Sequence, residues 1–383
     1  MSWLTLLSIL TFLIWLVATG VVMRGNRRMR RLAKLSAPAP AVWPKVSIVL
    51  AARNEGATLG AAVPTMLALD YPDLEVIAVN DRSEDNTGAI LDEIAARQPR
   101  LTVDHIRVLP TGWIGKTHAL HHGAARATGE WILFTDADIH FSPDALRRAV
   151  AYAEAQRIDL LAAVPELHER GYWLGVCVNA FSFSFTIGLQ PWRIPDPGSF
   201  AHGSVGAFGL VRAAKYREFG GHEPIRLRPD DDVKLGKLFK RRGARCELLH
   251  GAGALSVAWY DSVAAMVRGL TKNAYAGADY RAWVPPLGVA LLALGFLWPI
   301  VALTVAAGAA WWLNLGSVTL ISWLGVEQTR FTGGRKAHGP LLPIGIAIFS
   351  YILLRSMIVT HWTGGVTWRG THYPLAALKA NRL

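Results

Sequence analysis

Asp136 and Asp138 stand two residues apart where an apolar run, Trp131–Thr135, comes to its end, so in an extended chain their carboxylates leave the same side. Two carboxylates so placed can share a hard divalent cation, Mg²⁺ or Mn²⁺, with the oxygens of a diphosphate. The same spacing also suits an acidic turn before a helix, because Ser142, Pro143 and Asp144 open the next helical stretch. Glu55 and Asp81 fall at the ends of two earlier apolar runs. Asp81 is in position to hold a ribose or a base, which with the Asp pair makes one extended site of nucleotide shape. Ala52 and Asn54 sit beside Glu55 and are grouped with it at that site. Lys116 follows Gly112 and Gly115, positions where backbone can approach a phosphate, and is either a phosphate ligand or a solvated surface lysine. His140 is a lesser candidate for the metal region. His202, His222 and His250 are read as structural, since no paired ligand spacing accompanies them.

The elements that would hold these residues alternate in type. Val46–Ala52, Leu74–Val79 and Trp131–Thr135 are short apolar runs of strand character, and Gly60–Leu69, Gly88–Arg97 and Thr117–Ala127 carry helical patterns between them. Such alternation predicts an α/β fold with a mostly parallel, twisted sheet and helices on both faces. Ligands of these sheets bind beyond the carboxyl ends of the strands, where Glu55, Asp81, Asp136 and Asp138 all fall.

Four stretches resemble, in order and spacing, the successive motifs of family 2 inverting glycosyltransferases: Val46–Leu59 (VSIVLAARNEGATL), Val76–Thr87 (VIAVNDRSEDNT), Gly112–Gly123 (GWIGKTHALHHG) and Phe134–Phe141 (FTDADIHF). A fifth, Pro229–Leu235 (PDDDVKL), resembles that family's acidic motif, in which the second acid of a pair is the catalytic base. Alignment on Leu235 gives Asp232 that role and puts Asp231 where the family often has Glu; Asp230 is an extra acid that leaves the register open. The resemblance covers about Val46 to Ala276. It implies a GT-A-like domain, a nucleotide-diphosphate sugar (a UDP-sugar) as donor, and Mg²⁺ or Mn²⁺ on Asp138 and Asp136. Among lipid-modifying members the chain looks most like hopene-associated and ceramide-type glycosyltransferases, through GWIGK, Gly220–His222 with the DDD run, and the late TWRGTHY. Ala51 departs from a common proline and Asn80 from an acid that often precedes Asp81. The segment Val267–Ala276 (VRGLTKNAYA) lacks the Gln-x-x-Arg-Trp of processive enzymes, and Lys272 stands in for its arginine as a phosphate ligand. A single hexosyl transfer to a lipid is therefore expected. A processive polysaccharide synthase and a nucleotidyltransferase on a membrane substrate are the competing readings.

The acceptor's place follows from hydropathy and charge. Ser2–Met23 holds no charged residue and is about the length of roughly 20 residues that crosses a bilayer, so residues 1–23 are expected to be an uncleaved anchor rather than a removed signal. Arg24, Arg27, Arg28, Arg30, Arg31 and Lys34 follow it, which suits acidic headgroups and places residues 45–283, the catalytic domain, in the cytoplasm at the inner membrane. Residues 24–44 are a basic linker. Residues 284–326 are uncharged and are expected to form a helical hairpin turning near Trp311–Gly316; residues 327–340 then return to the basic side. The last segment, residues 341–383, sets parity against charge: a full crossing by Leu341–Trp362 puts a basic tail outside, whereas a re-entrant course keeps it inside. Tyr172–Trp192 is rich in aromatics and reads as an interfacial or a buried helix. The net charge of +12 accompanies no nucleic-acid-binding motif, so nucleic acid is not an expected partner. The two cysteines lack a CxxC pattern and read as reduced.

Overall fold

The uninterrupted apolar run Val46–Ala52 (β1) is what a strand covered on both faces requires, and it lies near the middle of a seven-stranded sheet. Its companions are Leu74–Asp81 (β2), Leu101–Ile106 (β3), Trp131–Asp136 (β4), Leu160–Val164 (β5), Gly209–Arg212 (β6) and Cys246–His250 (β7), in the spatial order β3-β2-β1-β4-β6-β5-β7. Only β6 runs antiparallel to its neighbours, β4 and β5. This is the computed structural model of the chain; it describes residues 2–383. The sheet belongs to the first of two units, comprising Met29–Glu166, Pro191–Val257 and Asn381–Leu383.

Val46, Ile48, Val49, Leu50, Val76, Val79, Ile132 and Leu133 are fully buried in the sheet's core. The helix Gly115–Arg126 packs closely on β1 and β2 because Gly123 has no side chain: a Cβ there would lie 2.6 Å from Val49 Cγ1 and 3.0 Å from Val79 Cγ2. Register then decides which residues meet at the carboxyl edge. Ala52 is paired with Asn80, Ala51 with Asp136, and Asn80 with His105. β2 runs two residues further than its apolar stretch, through Asn80 and Asp81, because β3 supplies pairing partners up to Ile106.

The second unit contains the helix Trp3–Arg28, residues Leu167–Gln190 and residues Ala258–Ala380. Its helices meet through small residues and single polar contacts, as in apolar surroundings where burial alone gives little specificity. Asn314 Nδ2 donates to Ser8 Oγ at 2.7 Å, and Gly316 lets the Phe12 ring within 2.7 Å of where a Cβ would stand. Gly345 does the same for the backbone carbonyl of Val176. In the helix Val284–Val305, Ala293–Leu297 is a π-helical turn followed by Pro299. A proline has no N–H to offer the carbonyl four residues before it. That carbonyl, of Gly295, instead accepts the indole N–H of Trp15 at 2.8 Å.

The hairpin turn differs from its expected place. It lies at residues 306–308, where Gly308 takes φ +59°, and Trp311 and Gly316 are inside the helix Ala309–Thr332. Trp311 is held by its indole N–H donating to Leu303 O, and Gly316 is small for packing rather than for turning.

Five helices are long and apolar enough to cross a membrane: Trp3–Arg28, Tyr172–Arg193, Val284–Val305, Ala309–Thr332 and Leu342–Trp362. Chain connectivity restricts which of them cross. β4 precedes Tyr172–Arg193 and β6 follows it, yet the two are hydrogen-bonded neighbours, so that helix cannot by itself carry the chain across. After Leu342–Trp362 the tail rejoins the sheet unit: Leu227 N donates to Asn381 Oδ1 at 3.0 Å, Asn381 Nδ2 donates to Pro224 O at 3.1 Å, and Lys237 Nζ donates to Leu383 O at 3.0 Å. Connectivity therefore allows only an even number of the three long apolar helices between residues 258 and 380 to cross. The hairpin Val284–Thr332 satisfies that condition without Leu342–Trp362, and Arg355 in the last helix suits a segment that does not fully span.

This topology predicts that reporter cysteines at exposed positions Glu93 (Glu93→Cys) and Arg382 (Arg382→Cys) react with a membrane-impermeant maleimide from the same side of sealed vesicles, the native Cys177 and Cys246 being buried. Labelling from opposite sides would contradict the even number of crossings.

Candidate active site

β4 delivers Asp136 to the carboxyl edge of the sheet, and the loop before β6 fixes it there: Asp136 N donates to Gly206 O at 2.9 Å and Thr135 Oγ1 donates to Ala207 O at 2.8 Å. Lys116, in the first turn of the helix Gly115–Arg126, places its ammonium 2.7 Å from Asp136 Oδ1 and 3.8 Å from Asp231 Oδ1. Asp231 and Asp232 open the helix Asp231–Arg241, whose N-terminal partial charge favours acids in the first turn. Asp232 accepts from Gly206 N through Oδ2 at 2.8 Å and from Val233 N through Oδ1 at 2.7 Å. Lys116, Asp136, Gly206, His222, Asp231 and Asp232 line one cleft. Asp230 does not reach it. Its carboxylate takes both prongs of the fully buried Arg228, at 2.9 and 3.0 Å, and lies 3.5 Å from Lys234 Nζ.

Charges in this cleft are mutually dependent. Burial alone would depress the Lys116 ammonium, but Asp136, Asp231 and Asp232 outweigh it and push its pKa above the ordinary lysine range. Burial raises the Asp231 and Asp232 carboxyls, with Lys116 opposing the rise. Asp138 is pushed up to about 7, by burial first and then by Asp136 and Glu55. A half-buried carboxyl raised in this way, beside a second acid, is a group that an added cation would relieve. Among the described residues no three His, Cys, Asp or Glu side chains converge as a metal site of their own. Asp136 and Asp138 thus fit a hard cation that takes its remaining ligands from a bound diphosphate or water. His140 pairs with Ser256 in a short antiparallel ladder.

Asn54 is exposed, takes φ +55° and fastens the loop after β2: Asn54 N donates to Ser83 Oγ at 3.1 Å and Glu84 N donates to Asn54 Oδ1 at 2.8 Å. Glu55 N donates to Thr87 Oγ1 at 2.8 Å. Ala52 is fully buried at the end of β1. Asp81 is almost fully buried and is gripped by the neighbouring Arg82, Nε to Oδ1 at 2.7 Å and Nη2 to Oδ2 at 3.0 Å. Lys272 belongs to the helical unit, where its ammonium stands 5.2 Å over the Trp368 ring, at the hairpin made by Gly365–Trp368 and Thr371–Pro374.

The sheet unit therefore gathers Lys116, Asp136, Asp231 and Asp232 and holds Ala52, Asn54, Glu55, Asp81 and Asp138 along the same strand ends. The sequence reading missed Gly206, Arg82 and the place of His222. Gly206 is required because a Cβ would meet Asp136 Oδ2 at 2.7 Å and Lys116 Nζ at 3.1 Å; the small residues of AHGSVGAFG were its signal. His222 is structural, as expected, sharing a 2.7 Å hydrogen bond between Nδ1 and Tyr216 OH, and it also forms cleft wall. Burial, then His121 and Lys116, lower its pKa to about 3, so it stays neutral. His202 Nδ1 bonds Phe200 O, and His250 is buried on β7.

A mostly parallel sheet with acids and a lysine converging at its carboxyl edge is the layout of a GT-A-like nucleotide-sugar enzyme. Residues 47–196 match the family described as Glycosyl transferase family 2, and the protein is a glycosyltransferase. It is 23% identical to the 4,4'-diaponeurosporenoate glycosyltransferase of Staphylococcus aureus (strain MRSA252), over 98% of this chain and 99% of the relative. The counterpart in strain USA300 is similar to the same extent, 23% over 98% and 99%. Among solved structures, the mannosyltransferase PcManGT from Pyrobaculum calidifontis, in complex with GDP-Man and Mn2+, has the same fold, with a TM-score of 0.57 and 18% identity over 91% of this chain and 99% of that one.

Two substitutions separate stability from chemistry here. Asp230→Ala should lower Tm by the equivalent of about 3 kcal/mol, since it removes the bidentate carboxylate from a fully buried guanidinium. Gly206→Ala should displace Lys116 from Asp136 and cut turnover at least about tenfold, with a much smaller drop in Tm. Thermal unfolding and donor-consumption assays on the two variants check this, and equal effects on both readouts would contradict it.

Proposed function

We propose that this glycosyltransferase moves one sugar from a nucleoside-diphosphate sugar, a UDP-sugar, to a hydroxyl oxygen of a membrane lipid, with inversion at the anomeric carbon. The observation that carries this reading is Asp232 facing the same cleft as the Lys116–Asp136 pair. Base and leaving-group machinery are thus fixed on one rigid frame.

Asp232 is the base. Its backbone donors, Gly206 N and Val233 N, orient the carboxylate, and burial raises its proton affinity, which favours uptake of a proton from an acceptor oxygen. That oxygen forms a bond to the anomeric carbon from the face opposite the departing diphosphate, whose bond to the same carbon breaks. The proton ends on Asp232 and the nucleoside diphosphate leaves. Asp231 holds Lys116 near the diphosphate side of the cleft. Mg²⁺ or Mn²⁺ on Asp138 and Asp136 would neutralise charge that develops on the leaving group. Asp81, Ala52, Asn54 and Glu55 line the nucleoside end. Lys272, with no Gln-x-x-Arg-Trp segment around it, supports a single transfer rather than chain growth.

The acceptor class is supported by the staphylococcal relatives, named for a lipid-like acceptor, and by helices long and apolar enough for a membrane. Membership in a hopene-associated or ceramide-type group is a finer reading that rests on GWIGK and TWRGTHY. A catalytic unit on the cytoplasmic face of the inner membrane is supported by the basic residues that end and follow the helix Trp3–Arg28.

Purified full-length protein in lipid vesicles, given Mg²⁺ or Mn²⁺ and a panel of UDP- and GDP-sugars, should yield lipid heavier by one hexose in mass spectra. Asp232→Asn should lower that yield at least about a hundredfold while nucleotide binding persists. Release of pyrophosphate from a nucleoside triphosphate would instead indicate nucleotidyl transfer, a ladder of sugar masses would indicate a processive enzyme, and an unimpaired Asp232→Asn variant would remove Asp232 from the chemistry.

A further inference from the structure

Consecutive residues on a strand point to opposite faces, so a carboxylate and the guanidinium that follows it do not ordinarily meet. Asp81 and Arg82 do meet, with both carboxylate oxygens bound by the fork. The exception is made by the backbone. Arg82 takes φ +56°, a left-handed conformation uncommon for a residue with a long side chain, and Arg82 N is held by Asn80 O and Ile106 O, each at 3.2 Å. The chain reverses at the strand end and folds the guanidinium back over Asp81. The first residue of the helix Gly115–Arg126 lies against the pair, and it fits because it is glycine: a Cβ there would come within van der Waals overlap of Asp81 Oδ2 and lie 2.8 Å from Arg82 Nη2. Arg53 adds a second cation 3.9 Å from Asp81 Oδ2. The carboxylate is buried and the guanidinium side chain is 20% exposed, so the cation lies between Asp81 and solvent.

We infer that Arg82 is a gate on the nucleoside end of the donor site: it competes with the donor's base or ribose for the Asp81 carboxylate and must turn outward before that carboxylate can receive them. The inference rests on the assignment of Asp81 to the nucleoside under Proposed function. Of the four lone-pair positions of a carboxylate, the fork occupies two in one plane, which leaves Asp81 a poor acceptor while the pair is closed. A ligand that binds only the open form has its affinity reduced by the open fraction, so a gate closed nine times in ten weakens binding about tenfold. The same device makes nucleoside binding selective, since a ligand that offers no donor to Asp81 gains nothing from opening it. Arg82 is thus a specificity-determining residue, acting through Asp81 and not on the reacting atoms.

Binding of UDP, GDP and inorganic pyrophosphate to the full chain, each with Mn²⁺, tests this by calorimetry on wild type, Arg82→Gly, Arg82→Lys and Asp81→Asn. Glycine suits the positive φ, so Arg82→Gly keeps the turn. The gate predicts that Arg82→Gly binds the preferred nucleoside diphosphate several-fold to about tenfold tighter, that pyrophosphate affinity is unchanged, and that Arg82→Lys, which cannot form the fork, falls between. Asp81→Asn should weaken the nucleoside diphosphate and leave pyrophosphate as it was. Equal or weaker nucleotide binding by Arg82→Gly, or a parallel change in pyrophosphate, overturns the gate. Nucleotide binding that ignores Asp81→Asn overturns it too, by removing Asp81 from the nucleoside, and failure of wild type to bind either nucleotide overturns the functional assignment itself.

Discussion

The ammonium of Lys116 is shared between two parts of the chain that are far apart in sequence. It lies against Asp136 at the end of a strand and within electrostatic reach of Asp231 at the start of a helix nearly a hundred residues later. Partial burial works against the charge of this lysine and of its acidic neighbours, and each opposes that effect on the other. Each ionic state is therefore a condition of the others. Gly206 completes the arrangement by offering its N–H to Asp232 and its carbonyl to Asp136, from a position with no side chain to intervene. Asp232 and the Lys116–Asp136 pair are joined through one backbone position and one side chain. A donor and its cation would enter a site whose charges are already set, which is the form of preorganisation that lowers a charge-separating barrier.

The helical unit answers to a different constraint. In apolar surroundings a lost backbone hydrogen bond is costly, and Pro299 creates such a loss at Gly295. The Trp15 indole repairs it, so one helix is keyed to another by a defect rather than by surface area. Asn314 with Ser8 supplies a second key, from the same first helix to the helix Ala309–Thr332. The tail from Asn381 to Leu383 returns to the sheet unit, which converts the question of how many helices cross into one of chain connectivity.

The strands β1, β2 and β4 and their terminal acids were readable from sequence because parallel central strands are apolar along their whole length and stop abruptly at polar residues. β3, β6 and β7 were not marked, since strands such as Leu101–Ile106 mix polar and charged residues with apolar ones, and β5, though apolar, is mostly Leu and Ala, which favour helix as readily as strand. Asp136, Asp231 and Asp232 line one cleft, and in the sequence only motif order relates them; nothing local in PDDDVKL shows that Arg228 holds Asp230 away from it. Arg82 was invisible for a related reason. Its importance lies in a positive φ, and the sequence carries no glycine there to announce one. The turn at Gly308 was misplaced because the glycine needed for packing, Gly316, and the glycine needed for turning look alike in a sequence.

Anomalous scattering from Mn²⁺ in crystals of the full chain with bound nucleoside diphosphate measures the central claim directly. The account predicts one Mn²⁺ peak between the carboxylates of Asp136 and Asp138, bridged to the diphosphate, with Lys116 on the phosphate oxygens and Asp232 across the cleft. A peak remote from both carboxylates, or a diphosphate out of reach of Lys116, would contradict it.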